Sequence, residues 1–397
     1  MAKYLKLFNT HTQYETYING QDAVKPNVSY CKDVMDVHYN PYVHDYSQDY
    51  FTTVSLENGA ITFTPKNNNV ISYSTDNGDT WTEGNSVTVE SGDEVLWKGT
   101  MTPLQYEGIG NFSSTCNFDV QGNIMSLLFG DDFKNQLSLE GKNYSFTLLF
   151  ATKLISAENL ILPATTLASG CYGAMFNGCT SLTVAPELPA TTLAEWCYAS
   201  MFYGCTSLTT VPQLPATTLA EWCYSNMFNG CTGLTSAPQL PATTLASDCY
   251  SFMFGGCTSL TSAPELLATT LADNCYNSMF YGCSGLTTAP QLPATTLADN
   301  CYQYMFNGCT SLTSAPQLPA TTLTTYCYNQ MFAGCTKLNY IKAMFTTTPS
   351  TTYTSNWVNG VPVSGTFVKN SAATWNPEEV RGANGVPNGW TVETASE

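Results

Sequence analysis

The sequence predicts an α+β chain: a solenoid of 26-residue units, each a short strand plus a short helix, preceded by a small antiparallel β-sandwich. Three observations predict it. The segment Cys-Tyr-x-x-Met-Phe-x-Gly-Cys occurs seven times, with its first cysteine at Cys171, Cys197, Cys223, Cys249, Cys275, Cys301 and Cys327, always at the same interval. Self-similarity at one fixed period marks units that bury their apolar face only by stacking on one another. Ahead of the repeats, short β-rich runs alternate with turn residues at hairpin-like intervals. The third observation is composition: 43% of residues are hydrophobic and 11% charged, enough buriable surface for a folded chain.

Residues 1–49 carry all three histidines, His11, His38 and His44, and are read as an N-terminal attachment segment. Residues 50–136 are read as the sandwich. Its strands are expected at Thr53-Val54-Ser55, Ala60 to Thr64, Val70 to Ser74, Ser86 to Val89 and Glu94 to Trp97, continued by the stretch from Phe112 to Phe133. The repeats occupy 137–345. In the first unit Thr165-Thr166-Leu167 is extended and runs into an N-cap at Ser169, a place taken by Asp273 and Asp299 in later copies. A short helix is expected over 170–177, with Gly178 as its left-handed C-terminal cap. Cys171, Met175 and Phe176 would face inward at i, i+4 spacing. Leu182, Ala185 and Leu188 then form an extended stretch that the prolines keep short. Seven units stacked about 4.8 Å apart make a rod segment of roughly 35 Å. The array degenerates at its ends. Ser145, Phe146, Leu149 and Phe150 lie in register one full period before Cys171, Tyr172, Met175 and Phe176, without the cysteines or the glycine. Residues 346–397, with Trp375 and Trp390, read as a C-terminal cap with short strands.

The repeating unit, Leu-Thr-x-Ala-Pro-x-Leu-Pro as at Leu234 to Pro241 followed by Cys-Tyr-x-x-Met-Phe-x-Gly-Cys, resembles the BspA-like leucine-rich repeats of gut Bacteroidales proteins. The resemblance covers about 139–344, and the ending Asn356-Trp357-Val358-Asn359-Gly360-Val361 with Gly365-Thr366-Phe367-Val368 looks like that family's closing segment. It implies binding and adhesion rather than catalysis. A second, shorter stretch, from Pro26-Asn27 through Cys31 and His38 to Pro41, resembles an N-terminal segment of virion proteins of phages infecting Bacteroidales.

Charge and composition narrow the function further. The 30 acidic and 13 basic residues leave a formal charge of −17, which repels phosphate backbones, so nucleic acid is not an expected partner. No apolar run approaches the roughly 18 residues of a membrane span, so no insertion is expected. The first twenty residues lack the apolar core of a secretory signal, so export by that route is not expected. Between Leu154 and Thr336 there is no Lys, Arg or His, and the chain has one arginine, Arg381. Such a chain is not expected to be an enzyme, and neither a cofactor nor a catalytic residue is assigned.

Three constellations remain. Ser74, Asp76, Gly78, Thr80 and Trp81 fit the Ser-x-Asp-x-Gly-x-Thr-Trp box of sialidase propellers, a device that closes a turn and carries no chemistry of its own. The fourteen repeat cysteines match no zinc spacing, since Cys-x7-Cys has no histidine near it. Stacked side chains also run parallel, whereas a disulfide needs converging β-carbons. Buried free thiols are expected. Cys31, Asp33, His38 and His44 match no metal site by spacing, so no metal is assigned.

The candidate site is a surface. Positions equivalent to 170, 174 and 177 vary between units while the inward positions do not. They carry Trp196, Trp222 and Tyr326, then Phe252 and Tyr304, then Tyr203 and Tyr281, among Asn, Ser and Gln. Exposed rings among short polar side chains suit an adaptable binding face; rings lying flat between units would instead cover the core, and the sequence leaves both open. The leading expectation is a non-enzymatic phage virion protein, a fibre, appendage or decoration component. It would be made in the host cytoplasm, docked on other virion proteins through its N-terminal region, and would bind a host-surface glycan or protein through the solenoid. A homo-oligomer is compatible with it. A bacterial surface adhesin is the alternative.

Overall fold

The structure is a computed structural model that describes residues 5–6, 30–31 and 45–396. The chain divides into two compact units, Met1–Gln48 and Asp49–Glu397. In the first, β1 (Leu5–Lys6) and β2 (Tyr30–Cys31) pair antiparallel. Apart from residues 45–49, the remainder of the expected attachment segment, with His11, Asp33, His38, His44 and most of the stretch from Pro26 to Pro41, lies outside the described residues.

The second unit is mostly β, in several sheets. All five β-rich runs form strands: β3 (Phe51–Ser55), β4 (Gly59–Pro65), β5 (Ile71–Ser74), β7 (Ser86–Val89) and β8 (Glu94–Gly99), with a two-residue β6 (Thr82–Glu83) between them. β9 (Gly110–Ser114), β10 (Phe118–Asn123) and β11 (Leu154–Ile161) follow. One sheet has the order β11-β10-β3-β8-β5-β6 and a second the order β7-β4-β9. Phe112 of β9 meets Phe63 at 4.8 Å, Phe51 at 5.1 Å and Trp97 at 5.3 Å, so rings from both sheets share one core. The antiparallel arrangement expected here is broken at one place. β11, from the region assigned to the repeats, joins β10 in parallel, returning through a long crossover that includes the four-residue helix α1 (Ser126–Phe129).

The helix expected over 170–177 does not form. In its place runs a ribbon of overlapping turns, in which backbone donors alternate strictly. The N–H groups of Cys171, Gly173, Met175, Asn177 and Cys179 each bond the carbonyl three positions back. Those of Gly170, Tyr172, Ala174, Phe176 and Gly178 bond carbonyls of the next unit, on Glu195, Cys197, Ala199, Met201 and Tyr203. Every fourth residue takes a positive φ, at Gly170 (63°), Ala174 (52°) and Gly178 (74°), and the pattern returns in each unit from Tyr144 to Gly360. That is the third position of a type II turn, where glycine or asparagine is favoured. The apolar period is therefore 4, not 3.6. Cys171-Tyr172 and Met175-Phe176 turn inward as pairs, and the residues between and after the pairs are mostly small or polar, several of them covered as well, as at Ser225 and Ser251. Tyr172, for which no inward place was expected, is fully buried.

The extended legs are also looser than a strand. Across the middle of the array they touch by isolated parallel bridges, Thr192 to Thr218, Thr244 to Thr270 and Ser262 to Thr288. Pro186, Pro189 and their equivalents carry no N–H, so no ladder can run through them. Where the prolines stop, true strands begin: β12 (Tyr340–Ala343), β13 (Thr366–Lys369) and β14 (Thr391–Thr394) form a parallel sheet in that order. The ending Asn356-Trp357 to Gly360 is a ninth turn of the ribbon, with Asn356 (51°) and Gly360 (78°) at positive φ and Trp357 laid over Phe332 and Tyr328. Ahead of it, α2 (Thr351–Thr354) supplies the only other α-helix among the described residues.

The glycine column sets a testable cost. Gly256 sits at φ 70°, and a Cβ there meets nothing closer than the Cα of Gly230 at 3.7 Å, so the penalty is conformational. Gly256→Ala is expected to lower stability by about 1–2 kcal/mol in urea denaturation. Gly255→Ala, outside the left-handed region and meeting the Asn229 side chain at 3.2 Å and the Phe252 carbonyl at 3.4 Å, is expected to cost less.

Candidate functional site

The ribbon positions its side chains by backbone bonding, so each column repeats at fixed register. Two aromatic columns fill the interior. Tyr172 to Tyr328 stack at 5.7–6.0 Å and Phe176 to Phe332 at 5.3–5.7 Å, nearly coplanar throughout. Phe146 and Phe150 start these columns in the first turn. The hydroxyls of Tyr172, Tyr198, Tyr250, Tyr302 and Tyr328 are buried without a hydrogen-bond partner, a cost the stack carries.

All fourteen repeat cysteines are free and buried. The second column has a role that spacing alone did not indicate. The thiols of Cys205, Cys231, Cys257, Cys283, Cys309 and Cys335 each donate to a phenylalanine carbonyl of the preceding unit, at 3.0–3.1 Å. That carbonyl already accepts the local turn bond, so the thiol occupies its second lone pair. Burial pushes the thiols up, to about 12 at Cys171, Cys223 and Cys275. Among the described residues no group of three or more His, Cys, Asp or Glu is placed to hold a metal ion, and no helix is long and apolar enough to cross a membrane.

The box at Ser74 to Trp81 closes its turn as the residue types require. Asp76 accepts from Ser74 Oγ (2.7 Å), Thr80 N (2.9 Å) and Thr80 Oγ1 (2.6 Å), and the bonds from Thr80 and Ser74 hold its carboxyl down to about 2. Trp81 packs edge-on against Tyr50 at 4.8 Å, with Lys98 Nζ 4.0 Å above its ring. Lys98 in turn bonds Asp131 at 2.7 Å, and Tyr50 donates to the same carboxylate at 2.6 Å.

The seven aromatics of the candidate face all lie off the interior columns, and the local contacts of five of them do not join the set into one patch. Trp196 and Trp222 stack at 4.7 Å and 3°, each covering a face of the other, and Trp196 Nε1 donates to Glu195 at 2.9 Å. Phe252 meets Tyr281 at 6.4 Å, and Gln330 donates to the Tyr304 hydroxyl at 3.1 Å. Tyr203 (43% exposed), Tyr281 (45%) and Tyr326 (42%) project furthest, while Trp222, Phe252 and Tyr304 are half-buried. Packing and display are thus both present, in different members of the set. Two rings were missed. Tyr144 occupies the column of Trp196 two units earlier, a place that the repeat register alone could have given. Tyr106, 66% exposed, lies 4.6 Å from it.

A chain whose successive turns bury the same Leu, Cys, Tyr, Met and Phe columns is a repeat protein, stabilised by contacts between neighbouring units. The profile of the BspA type leucine rich repeat region matches it in six copies, over residues 150–278 and 239–356. Those spans run together from 150 to 356, just over half of the 397 residues, and the chain belongs to the BspA-type leucine-rich repeat family. No curated protein and no solved structure matches it.

The thiols give a prediction with a definite sign. The folded chain keeps their protons well beyond the pH, about 8.5, at which an unfolded cysteine releases its own. Stability is therefore expected to fall as pH rises above about 8.5, because the unfolded chain then binds fewer protons than the folded one. In iodoacetamide labelling at pH 8, read by mass spectrometry, the fourteen repeat cysteines are expected to react only after urea is added.

Proposed function

We propose that the chain is a non-enzymatic binding protein: its repeat stack is a solenoid, supported on a small β-sandwich, and its outward columns engage glycan or protein on a host surface. One observation carries the proposal. Tyr203, Tyr281 and Tyr326 are held 42–45% exposed on a ribbon whose interior columns are filled by the same residues in every unit. Exposed tyrosines set among short polar side chains have the composition of an adaptable binding face. Membership of the family supports the same coarse reading, a surface or interaction protein.

The proposal extends to the carrier. The resemblance of the stretch from Pro26 to Pro41 to phage virion proteins supports a fibre, appendage or decoration component, with residues 1–49 docking on other virion proteins and copies of the chain associating there. Family membership by itself suits a bacterial surface adhesin equally well, and that is the second reading.

The intact labelled chain is expected to bind Bacteroidales cells. Replacement of Tyr203 and Tyr281 by Ser and of Tyr326 by Asn should weaken that binding at least tenfold with an unchanged circular dichroism spectrum. Unchanged binding would remove these columns from the site. Antibody raised against the chain should label purified phage particles in electron micrographs; labelling of bacterial cells alone would select the adhesin.

A further inference from the structure

A cleft lies beside Tyr144, away from the seven aromatics of the candidate face. It has a volume of about 330 Å³ and is lined by Thr102, Pro103, Gln105, Lys142, Asn143 and Tyr144. Its outer wall is a tight loop. The Leu104 N–H donates to the Gly108 carbonyl and the Gly108 N–H to that of Leu104, both at 2.9 Å. Gly108 lets this loop press onto the first turn of the ribbon, since a Cβ there would stand 2.6 Å from the Thr147 carbonyl oxygen. Tyr106 rides at the loop's tip with φ 64°, and its ring meets that of Tyr144, itself at φ 58°. Two tyrosines thus stand side by side in backbone that favours glycine or asparagine, and one of them buries little of its ring. The Asn69 side chain braces the base of the loop, accepting from Thr102 N at 2.8 Å and donating to the Thr102 and Ile109 carbonyls. Glu107, the loop's carboxylate, is paired with Lys66 at 2.8 Å and is not part of the lining.

We infer that this cleft is a binding site for a neutral hexose oligosaccharide, with a sugar ring seated against Tyr144, which Tyr106 flanks from the loop tip at 4.6 Å, and its hydroxyls bonded by Thr102, Gln105 and Asn143. The chemistry fits in each respect. A pyranose offers an apolar C–H face, which an exposed phenol ring covers, and a rim of hydroxyls that both donate and accept. Carboxamides and a threonine hydroxyl also do both, whereas carboxylates only accept and lysine only donates. The volume is at the small end of ligand sites and takes one or two sugar rings. A chain of net charge −17, with one lysine in the lining whose ammonium lies over the Phe129 ring at 5.7 Å, gives anionic sugars little to bind.

The inference rests on reading the chain as a binding protein, and the test keeps the two apart. The intact chain is run through native gels containing yeast mannan, a soluble β-glucan, starch, dextran sulfate or polygalacturonate. At least one neutral polymer should retard it, and Tyr106→Asn and Asn143→Ala should each weaken that retardation at least tenfold, whereas Val363→Ser, at an exposed residue outside both the cleft and the outward columns, should leave it unchanged. Retardation by no neutral polymer, or only by the anionic ones, overturns the inference, as does retardation that both variants retain. Cell binding is read in parallel. Protein that binds cells but no neutral polymer loses the sugar site and keeps its place as a surface-binding protein.

Discussion

Every second N–H of the ribbon points along the stack to a carbonyl of the next unit, and most of the architecture follows from that alternation. A backbone that sends one donor inward to its own turn and the next outward to its neighbour cannot keep helical dihedrals. Within each ribbon turn it inserts left-handed residues four apart, as at Gly170, Ala174 and Gly178. The left-handed residues fix which side chains turn inward, so Tyr falls on Tyr and Phe on Phe at 6.0 Å or less along the array. The thiol-to-carbonyl bonds use acceptor capacity that the same pattern leaves open, since the phenylalanine carbonyls belong to the locally bonded set. Cysteine at these places acts as a small apolar side chain with one weak donor, a combination that neither alanine nor serine supplies.

The extended side of each turn is organised by the opposite circumstance, the loss of donors. Proline, twice in every middle leg except the one where Leu267 replaces the second, removes ladder bonds and leaves single bridges, so cohesion between neighbours rests on the ribbon and on the buried leucines. At both ends, where β11 and β12 to β14 lack proline, the same pitch produces real parallel strands. Prolines through the middle leave little edge for strand addition, and the stack is closed by sheets only where it meets other structure.

Register and burial of the cysteine, methionine and phenylalanine columns were legible in the sequence because they depend on period alone, and the five β-rich runs because each alternates between turn residues. The helix was misread because Cys171 and Met175 satisfy i, i+4 for period 3.6 and period 4 alike. Buried Tyr172, one residue after Cys171, separates the two periods, and the glycine at every Gly178 equivalent marks positive φ without saying that two non-glycine positions per unit share it. The outward aromatics were found by their variation, yet the partition into stacked Trp196 and Trp222 and projecting Tyr203, Tyr281 and Tyr326 depends on ring orientation, which no sequence pattern carries. Tyr106 comes from a loop with no repeat to give it register, and its neighbour Tyr144 precedes the first recognisable cysteine.

Five of the seven outward aromatics also stand at backbone positions that the ribbon itself fixes. Trp196, Trp222 and Tyr326 occupy left-handed positions at φ 50–59°, as do Phe252 and Tyr304 at 56°, and each is followed at the next residue but one by a donor fixed to the neighbouring unit. Asparagine and aspartate stand in the same columns at Asn274, Asn300 and Asp248, so the backbone accepts small polar residues there with less strain than large rings. A ring at such a position loses little further backbone freedom when a partner arrives, and the strain, of order 1–3 kcal/mol per residue, is already carried by the fold. The interior columns set the register and the outward columns vary upon it, which lets one repeat present different surfaces without disturbing its neighbours.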